Sequence, residues 1–176
     1  MSFTTWKKEF YPTTAHSTKG APVVDAINHS LQKWTGLRAE NLAKHGLERV
    51  AGHVRKLDGA TTYQVAQAPQ CALCVKFARQ DSCTTCPLAT NKDPAPSYGC
   101  IDQWTEFAYA GNPEPMIAAL TRAIYTQGAI HVMQKAATVL DELATDLINC
   151  GLHSTKSVIA AQQVAAQLRE LSTKVR

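Results

Sequence analysis

Five of the six cysteines in this chain lie in one stretch, from Cys71 to Cys100, and their spacing restricts how that stretch can fold. Cys71 and Cys74 form one Cys-x2-Cys pair, and Cys83 and Cys86 form a second. Two residues between cysteines allow a tight turn that directs both thiolates at one ion, as in tetrahedral zinc sites. The spacing therefore predicts a zinc-binding segment in this stretch.

Two ligand sets are compatible with the spacing. The first consists of Cys71, Cys74, Cys83 and Cys86, which would make a compact knuckle because the gap between the two pairs is short. The second replaces Cys71 with Cys100 and encloses a longer loop that contains several prolines. Disulfides, uncoordinated thiols and an iron–sulfur cluster stay open as alternatives. A proline follows the fourth cysteine, as in bacterial cluster motifs, but the preceding spacing differs from theirs.

Length and composition favour a cytoplasmic protein with one ordinary core. The chain has 176 residues, of which 45% are hydrophobic, and this suffices for one domain with a metal-bound insert. The start, MSFTTWKKEF, lacks the apolar segment of a signal peptide, and no apolar run approaches the ~20 residues that cross a bilayer. In a reducing compartment, clustered cysteines indicate metal binding more often than disulfides.

The segments before the cysteines include helices with one apolar face. Residues 1 to 20 show no helical period and are expected to run as an extended arm. Residues 21 to 34 are expected to form a helix, on which His29 and Lys33 fall outside the apolar stripe and are expected to be solvated. A second short helix is expected to end at Gly46. The stripe of the first helix consists of Val24, Ile27, Leu31 and Trp34.

The main basic patch follows these two helices. The net charge is +4, and residues 1 to 70 hold nine Lys and Arg against five Asp and Glu. An apolar stripe over residues 47 to 57 predicts a third helix, whose other face carries the four basic groups. That face suits solvent and also a phosphate-binding surface. The next segment, ATTYQVAQA, predicts a short strand. The basic groups are Arg49, His53, Arg55 and Lys56.

Helices are also expected after the cysteines. A helix directly after Cys100 would couple the metal segment to the core. Asn112 is expected to cap a helix that runs to residue 149, either as one bent helix or as two joined at Gly128. Ser154 is expected to cap a final helix, and Cys150 to be a small buried residue. The final helix has an apolar stripe of Val164, Leu168, Leu171 and Val175.

Together these elements predict a mainly α protein with a cysteine-rich zinc-knuckle insert, room for one short β-hairpin, and a C-terminal antiparallel helix pair. Residues 1–112, with the metal segment at 71–100, form the first part, and residues 113–176 form a helical hairpin on the same core. We expect the apolar stripes of the pair to face inward and complete the core. A stripe left exposed would instead serve homodimer formation or partner binding.

Several short stretches resemble one group of viral proteins. The segments lie within about residues 8–100 and are KEFYP, HSLQKWTGLRAENLAKHG, CALC, CTTCPL and a later Gly-Cys. Together they resemble segments of small proteins encoded by bacteriophages. The cysteines of that family bind zinc, and its members have no established activity. The resemblance implies a phage origin and an accessory role on a host protein, and it assigns no catalytic residue.

The motifs point away from catalysis. The sequence has no P-loop, dinucleotide-binding glycine pattern, His-Glu-x-x-His or Gly-x-Ser-x-Gly, and an all-thiolate zinc site has no open position for water. The first hypothesis is a non-catalytic, zinc-stabilised phage accessory protein that binds and modulates or inhibits a host protein, such as a bacterial defence system in the manner of an anti-CRISPR. The alternative is a nucleic-acid-binding zinc protein that uses the Arg49–Lys56 region. In a third hypothesis, a metal-dependent hydrolase, His45 or His53 joins the cysteines as a ligand.

Overall fold

The computed structural model describes residues 2–59, 61–77, 85–89, 100–152 and 155–175. In these residues the chain is mainly helical, as expected. It also contains one three-stranded antiparallel sheet, which is more strand than the single short hairpin that the sequence allowed. Within the same ranges, no helix combines the length and apolar character needed to cross a bilayer. The chain divides into two compact units, Met1–Ile124 and Tyr125–Arg176. The helices are α1 (Phe3–Phe10), α2 (Val23–Thr35), α3 (Ala39–Lys44), α4 (Ala72–Phe77), α5 (Ile101–Ala110), α6 (Glu114–Asn149) and α7 (Lys156–Lys174). The strands are β1 (Leu47–Val50), β2 (His53–Lys56) and β3 (Thr62–Gln64).

The amino-terminal residues form helix α1, so the expected extended arm is wrong. Ser2 and Thr5 cap each other, since each side-chain oxygen accepts a hydrogen bond from the other's backbone N–H. Trp6 and Phe10 lie one turn apart and are buried, and the Trp6 indole donates to the Gly36 carbonyl at 2.7 Å. Two aromatic residues thus supply the whole buried face of a short helix, which is too few to show a period in the sequence.

Residues 47–57 form a β-hairpin, and the helix expected there is wrong. β1 and β2 pair antiparallel, with Leu47 opposite Lys56. Ala51 and Gly52 connect them with φ angles of 41° and 76°, the left-handed conformation that a two-residue type I′ turn needs. This turn matches the twist of paired strands, so it favours the hairpin over a helix with the same apolar residues. β3 pairs with the far side of β2, which confirms the strand expected there.

The core of the first unit brings α2, α5 and the start of α6 together with the sheet. Trp34 and Phe107 meet edge to face with 5.0 Å between ring centroids, and both belong to a buried cluster that includes Val54 and Leu120. Helix α6 starts where expected, because the Asn112 side chain accepts a hydrogen bond from the backbone N–H of the first helical residue at 3.1 Å.

Two residues of α2 that were expected in solvent are buried. His29 is 8% exposed and Lys33 only 1%. The buried face of this helix is wider than its stripe of large apolar residues, because Ala26 and Ser30 are fully buried as well. Small side chains let neighbouring backbone approach closely, and the two polar residues are enclosed with them.

The second unit is an antiparallel helix pair formed by the end of α6 and α7. α6 is one continuous helix, which decides between the two alternatives left open by the sequence. Ala144 packs with Val158 and Ala161 of α7, and Asp141 forms an ion pair with Arg169. Ser154 lies outside the described residues. The cap of α7 is Thr155, whose hydroxyl oxygen accepts a hydrogen bond from the backbone N–H of Val158 at 3.4 Å.

The apolar stripe expected to pack α7 is mostly exposed. Leu168 is partly buried, but the other three members are exposed. The buried row instead lies one residue further round the helix and consists of Val158, Ala161, Ala165 and Ser172. Small residues in this row let the two helix axes approach closely, and close approach gains more contacts than the larger residues offer. Cys150 is exposed and not buried as expected.

Gly128 gives a simple test of the α6 helix. A Cβ atom at this position meets no atom within 4 Å, so Gly128→Ala should stabilise the helix by about 0.5–1 kcal/mol, because alanine loses less backbone entropy. At Gly36 a Cβ atom would overlap the ring of Phe10, and Gly36→Ala should destabilise the first unit by about 1–3 kcal/mol. Amide hydrogen exchange would measure both effects locally. Equal effects of the two substitutions would contradict this packing.

Candidate thiol centre

Four of the five clustered cysteines are among the described residues of the first unit, and three of them line one cavity. Cys71 precedes α4 and Cys74 is in its first turn, whereas Cys100 precedes α5. These three line a cavity of about 320 Å³, and Cys86 is near enough to Cys74 for its charge to affect that thiol. We call these four residues the thiol cluster. Cys83 lies outside the described residues.

The Cys-x2-Cys pair has the geometry of a capped helix start. The backbone N–H of Cys71 donates to the Ala68 carbonyl at 3.0 Å, and its own carbonyl accepts from the N–H of Val75 at 3.0 Å. This places the Cys71 sulfur beside the free N–H groups of the first turn, and those of Leu73 and Cys74 donate to it. Thiolates are stabilised by such donors and by the positive end of the helix dipole.

The first two thiols, Cys71 and Cys74, are joined by a hydrogen bond. A hydrogen bond between Cys71 and Cys74 lowers the pKa of Cys71 well below its usual range, and the charge of Lys33 lowers it further against the effect of burial. The same bond raises the pKa of Cys74, as do burial and the charges of Cys71, Cys100 and Cys86. The hydrogen bond and the charge of Lys33 therefore favour negative charge on Cys71 over Cys74. Gathering thiols in this way disfavours additional negative charge unless a cation is present.

Lys33 places a buried ammonium group beside the cluster. Its Nζ atom donates to the Gln70 carbonyl at 2.8 Å and lies 5.6 Å from the centre of the Trp34 ring. Burial lowers the pKa of Lys33, and the negative charges of nearby thiols, first that of Cys71, raise it. Among the described residues no carboxylate forms an ion pair with this lysine. Cys71, Cys74 and Cys100 are thus the described groups whose negative charge would offset a positive charge on Lys33.

Apolar side chains form most of the remaining wall of the cavity. Trp34 and Trp104 stand among them, and the Trp104 indole is held by a hydrogen bond to the Ala66 carbonyl at 2.7 Å. An apolar wall excludes water and strengthens electrostatic attraction inside the site. The larger apolar members of the wall are Trp34, Leu88, Trp104, Met116 and Leu120.

The structure brings together two cysteines that the expected ligand sets kept apart. Each set contained either Cys71 or Cys100, and both line the same cavity together with Ser30 and Trp34 of α2. Both sets also required Cys83. As placed, no three His, Cys, Asp or Glu side chains within the described ranges form a group able to hold a metal ion. The thiol cluster is thus an assembly of donors beside a cavity, and its sulfurs would need to converge further to share an ion.

The basic residues expected on one helix face are divided between the two faces of the hairpin. Arg49 and Lys56 stand on one face and His53 and Arg55 on the other, because side chains alternate along paired strands. Arg49 donates to the carbonyls at the end of α5, at 3.2 Å to the nearer one, which satisfies part of that helix terminus. Arg55 forms an ion pair with Glu48 at 2.7 Å. The structure therefore does not gather the four groups on one surface.

The histidines proposed as additional ligands make other contacts. His45 is buried between Thr5 and Glu9, with one ring nitrogen 2.9 Å from the threonine hydroxyl and the other 3.0 Å from the carboxylate. His53 Nδ1 lies 3.1 Å from the Ala51 carbonyl. Of the described residues that line the cavity, none is a histidine.

Lys33 is the site residue that sequence reasoning missed. It follows Ala26 by seven residues and Ser30 by three, and this is the spacing of one helix face. Ala26 and Ser30 are both fully buried. The helical spacing of Lys33 from these two small residues was therefore the sequence signal that could have placed it on the buried face. It was overlooked because a lysine next to small residues usually indicates a solvated face.

No protein-family model, no curated protein and no solved structure matches this chain. The arrangement of its own side chains is therefore the basis for a functional proposal.

Proposed function

We propose that this protein is a non-catalytic, zinc-stabilised phage accessory protein that binds and modulates a host protein in the host cytoplasm. The observation that carries the zinc part is the cavity lined by Cys71, Cys74 and Cys100, with Cys86 near enough to affect the pKa of Cys74 and with Lys33 buried beside them. Thiols stay reduced in the cytoplasm, where clusters of this kind bind metal rather than form disulfides.

The chemistry of the cluster suits zinc. Its donors are all sulfur, which favours zinc, copper(I) or iron–sulfur clusters over magnesium or calcium. Four thiolates around one Zn²⁺ carry a net charge of −2, and the ammonium group of Lys33 compensates part of that charge in an apolar surrounding. The cavity of about 320 Å³ is far larger than the ~30 Å³ share of one water molecule. The thiol side chains therefore have room to turn toward a shared ion.

We propose Cys71, Cys74, Cys86 and Cys100 as the ligands. Zinc held by this set would tie the turn before α4 and residues 85–89 to the start of α5. Metal binding would then supply folding energy to a segment that has few apolar residues of its own. Four protein ligands leave no coordination position for water or substrate, which is why the proposed role is structural.

Metal content tests both the ion and the ligand set. The purified protein should contain one zinc per chain by inductively coupled plasma mass spectrometry. Cys71→Ser and Cys100→Ser should each lose it, whereas Cys83→Ser should retain it. Loss in Cys83→Ser with retention in Cys100→Ser would favour the knuckle set, and loss in Cys83→Ser with retention in Cys71→Ser would favour the long-loop set. Cys150→Ser is the matched control, because this thiol is exposed and lies in the second unit.

Two results would contradict the zinc part. A metal-free protein that circular dichroism shows to be fully folded would contradict the proposal that zinc stabilises the fold. Iron and inorganic sulfide in place of zinc, with absorbance near 400 nm, would identify the centre as an iron–sulfur cluster.

The partner part of the proposal is supported by the sequence. It rests on the absence of known catalytic motifs and on the resemblance to phage proteins over about residues 8–100. Tagged protein produced in the host should retain one host protein in preference to others, and Cys74→Ser should lose it. If the target is a defence system, expression of the chain should restore plating of a sensitive phage. Failure to enrich any host protein above a tag-only control would argue against the binding role, whatever the zinc content.

A further inference from the structure

The described residues of the second unit leave nine large apolar side chains exposed, and five of them lie on one side of the helix pair. On α6 these are Val132, Val139 and Leu143, which are 66%, 53% and 50% exposed, and on α7 they are Val164 and Leu171, at 43% and 50%. We call these five residues the outer face. Single exposed apolar residues are common, but five on two neighbouring helices form a patch that needs an explanation.

The five residues point to the same side of the helix pair. On each helix they come one residue before a member of the row that packs the pair together. A residue one position earlier in the sequence lies about 100° around the helix axis. Because the two helices run antiparallel, this earlier position is on the same side of the pair for both helices. Asp141 and Arg169 instead come one residue after packing residues, and their ion pair marks the opposite side. The residues that follow the outer face are all buried or partly buried, and they are Met133, Leu140, Ala144, Ala165 and Ser172.

The outer face repeats with the period of a helix bundle. Val132 and Val139 are seven residues apart, as are Val164 and Leu171. Ala136 occupies the position between the two valines, and Ala160 extends the row on α7. A seven-residue apolar repeat with small residues between is the pattern by which helices pack side by side. Each helix thus has two apolar rows, of which only one is used within the pair.

The size of this surface suits a specific contact. α7 has 19 residues, which is a length of about 28 Å at ~1.5 Å per residue. Two helices side by side are about 20 Å wide, so the face covers roughly 560 Å² in projection, before its ridges are counted. Stable interfaces start at about 600 Å² per partner.

Charge selects a second copy of this chain as the occupant. Asp141 and Arg169 neutralise each other in their ion pair on the opposite side. Around the connection between the helices, residues 142–160 carry Glu142 and Asp146 against Lys156, a net charge of −1. The other end, residues 125–140 and 161–175 without Arg169, carries Lys135 and Lys174 against Glu170, a net charge of +1. Two copies that lie antiparallel therefore place the negative end of each against the positive end of the other, whereas parallel copies place like charges together.

We propose that the outer face binds the outer face of a second copy of this chain in antiparallel orientation, which gives a four-helix bundle. Sedimentation equilibrium of the full chain should give twice the 19.1 kDa chain mass at micromolar concentration. Leu143→Glu should raise the dimer dissociation constant about 100-fold or more, because a carboxylate would be buried without a partner. Ile159→Glu is the matched control: Ile159 is 48% exposed but follows a packing residue, so its dissociation constant should stay within about threefold.

Orientation has its own test. Asp146→Lys and Lys174→Glu should each weaken the dimer several-fold at low salt, and the double variant should restore it, since the two ends exchange sign. Circular dichroism and zinc content should be unchanged in all of these variants, which separates failure of this proposal from failure of the zinc proposal.

A chain that stays monomeric at about 200 µM would overturn the dimer. Equal effects of Leu143→Glu and Ile159→Glu would do the same. Binding of lipid vesicles or of another protein through Leu143, by a chain that does not self-associate, would assign the outer face to that other occupant.

Discussion

Cys74→Ser should abolish zinc binding and lower the free energy of unfolding of the first unit by about 4 kcal/mol or more. Cys74 belongs to every ligand set compatible with the spacing, so its loss does not depend on which set is correct. Serine has nearly the same shape, but its hydroxyl stays protonated and is a poor zinc ligand. Structural zinc contributes binding free energy directly to folding, and loss of a metal is among the few causes of such large effects.

The control for this prediction is Cys150→Ser, which should change the free energy of unfolding by less than about 0.5 kcal/mol, because Cys150 is exposed. A chelator should lower the melting temperature of the unmodified protein to that of Cys74→Ser, and added zinc should restore it. The same chelator should have no effect on Cys74→Ser. A variant that keeps both zinc and stability would show that the ion is held elsewhere.

Lys33→Met should destabilise the protein by about 2–4 kcal/mol and weaken zinc binding about 10- to 100-fold. Methionine fills similar space without charge, so the substitution removes the cation that faces the thiols and leaves an anionic centre uncompensated in an apolar wall. Chemical unfolding, followed by a zinc competition assay, would measure both effects.

Whether Lys33→Met destabilises or stabilises the protein indicates whether the thiol cluster has a net negative charge. If the cluster had no net negative charge, removal of a buried ammonium group would be neutral or stabilising, since burial of an unpaired charge is costly. Lys44→Met is the matched control. Lys44 pairs with Glu9 at the surface, and loss of an exposed ion pair should cost less than about 1 kcal/mol. A stabilised Lys33→Met variant would therefore argue against an anionic metal centre.

Local sequence determined those parts of the fold in which neighbouring residues supply the whole signal. The start of α6 follows from Asn112 and the proline after it, because a cap and a fixed φ angle act within one turn. Helices α2 and α5 follow from apolar spacing, and the mainly α class follows from the sum of such segments. The nearness of Cys71 and Cys74 is likewise a local property of their spacing.

Tertiary structure decided which faces are buried. Residues 47–57 have a helical apolar stripe, but a type I′ turn at Ala51 and pairing with β3 make them strands, since hydrogen bonds to a partner strand are invisible to periodicity. On α7 the alanine row packs and the larger residues stay outside, because close approach of two axes depends on both helices at once.

The candidate site shows the same division. Cysteine spacing identified the donors, but the meeting of Cys71 with Cys100 depends on how α4 and α5 pack against α2. Lys33 joins them for the same reason, from a row of α2 that its own charge made look solvated. The sequence alone determined which groups are available for chemistry. Only the packing of distant segments decided which of them share one cavity, because that proximity arises from contacts between residues far apart in the chain.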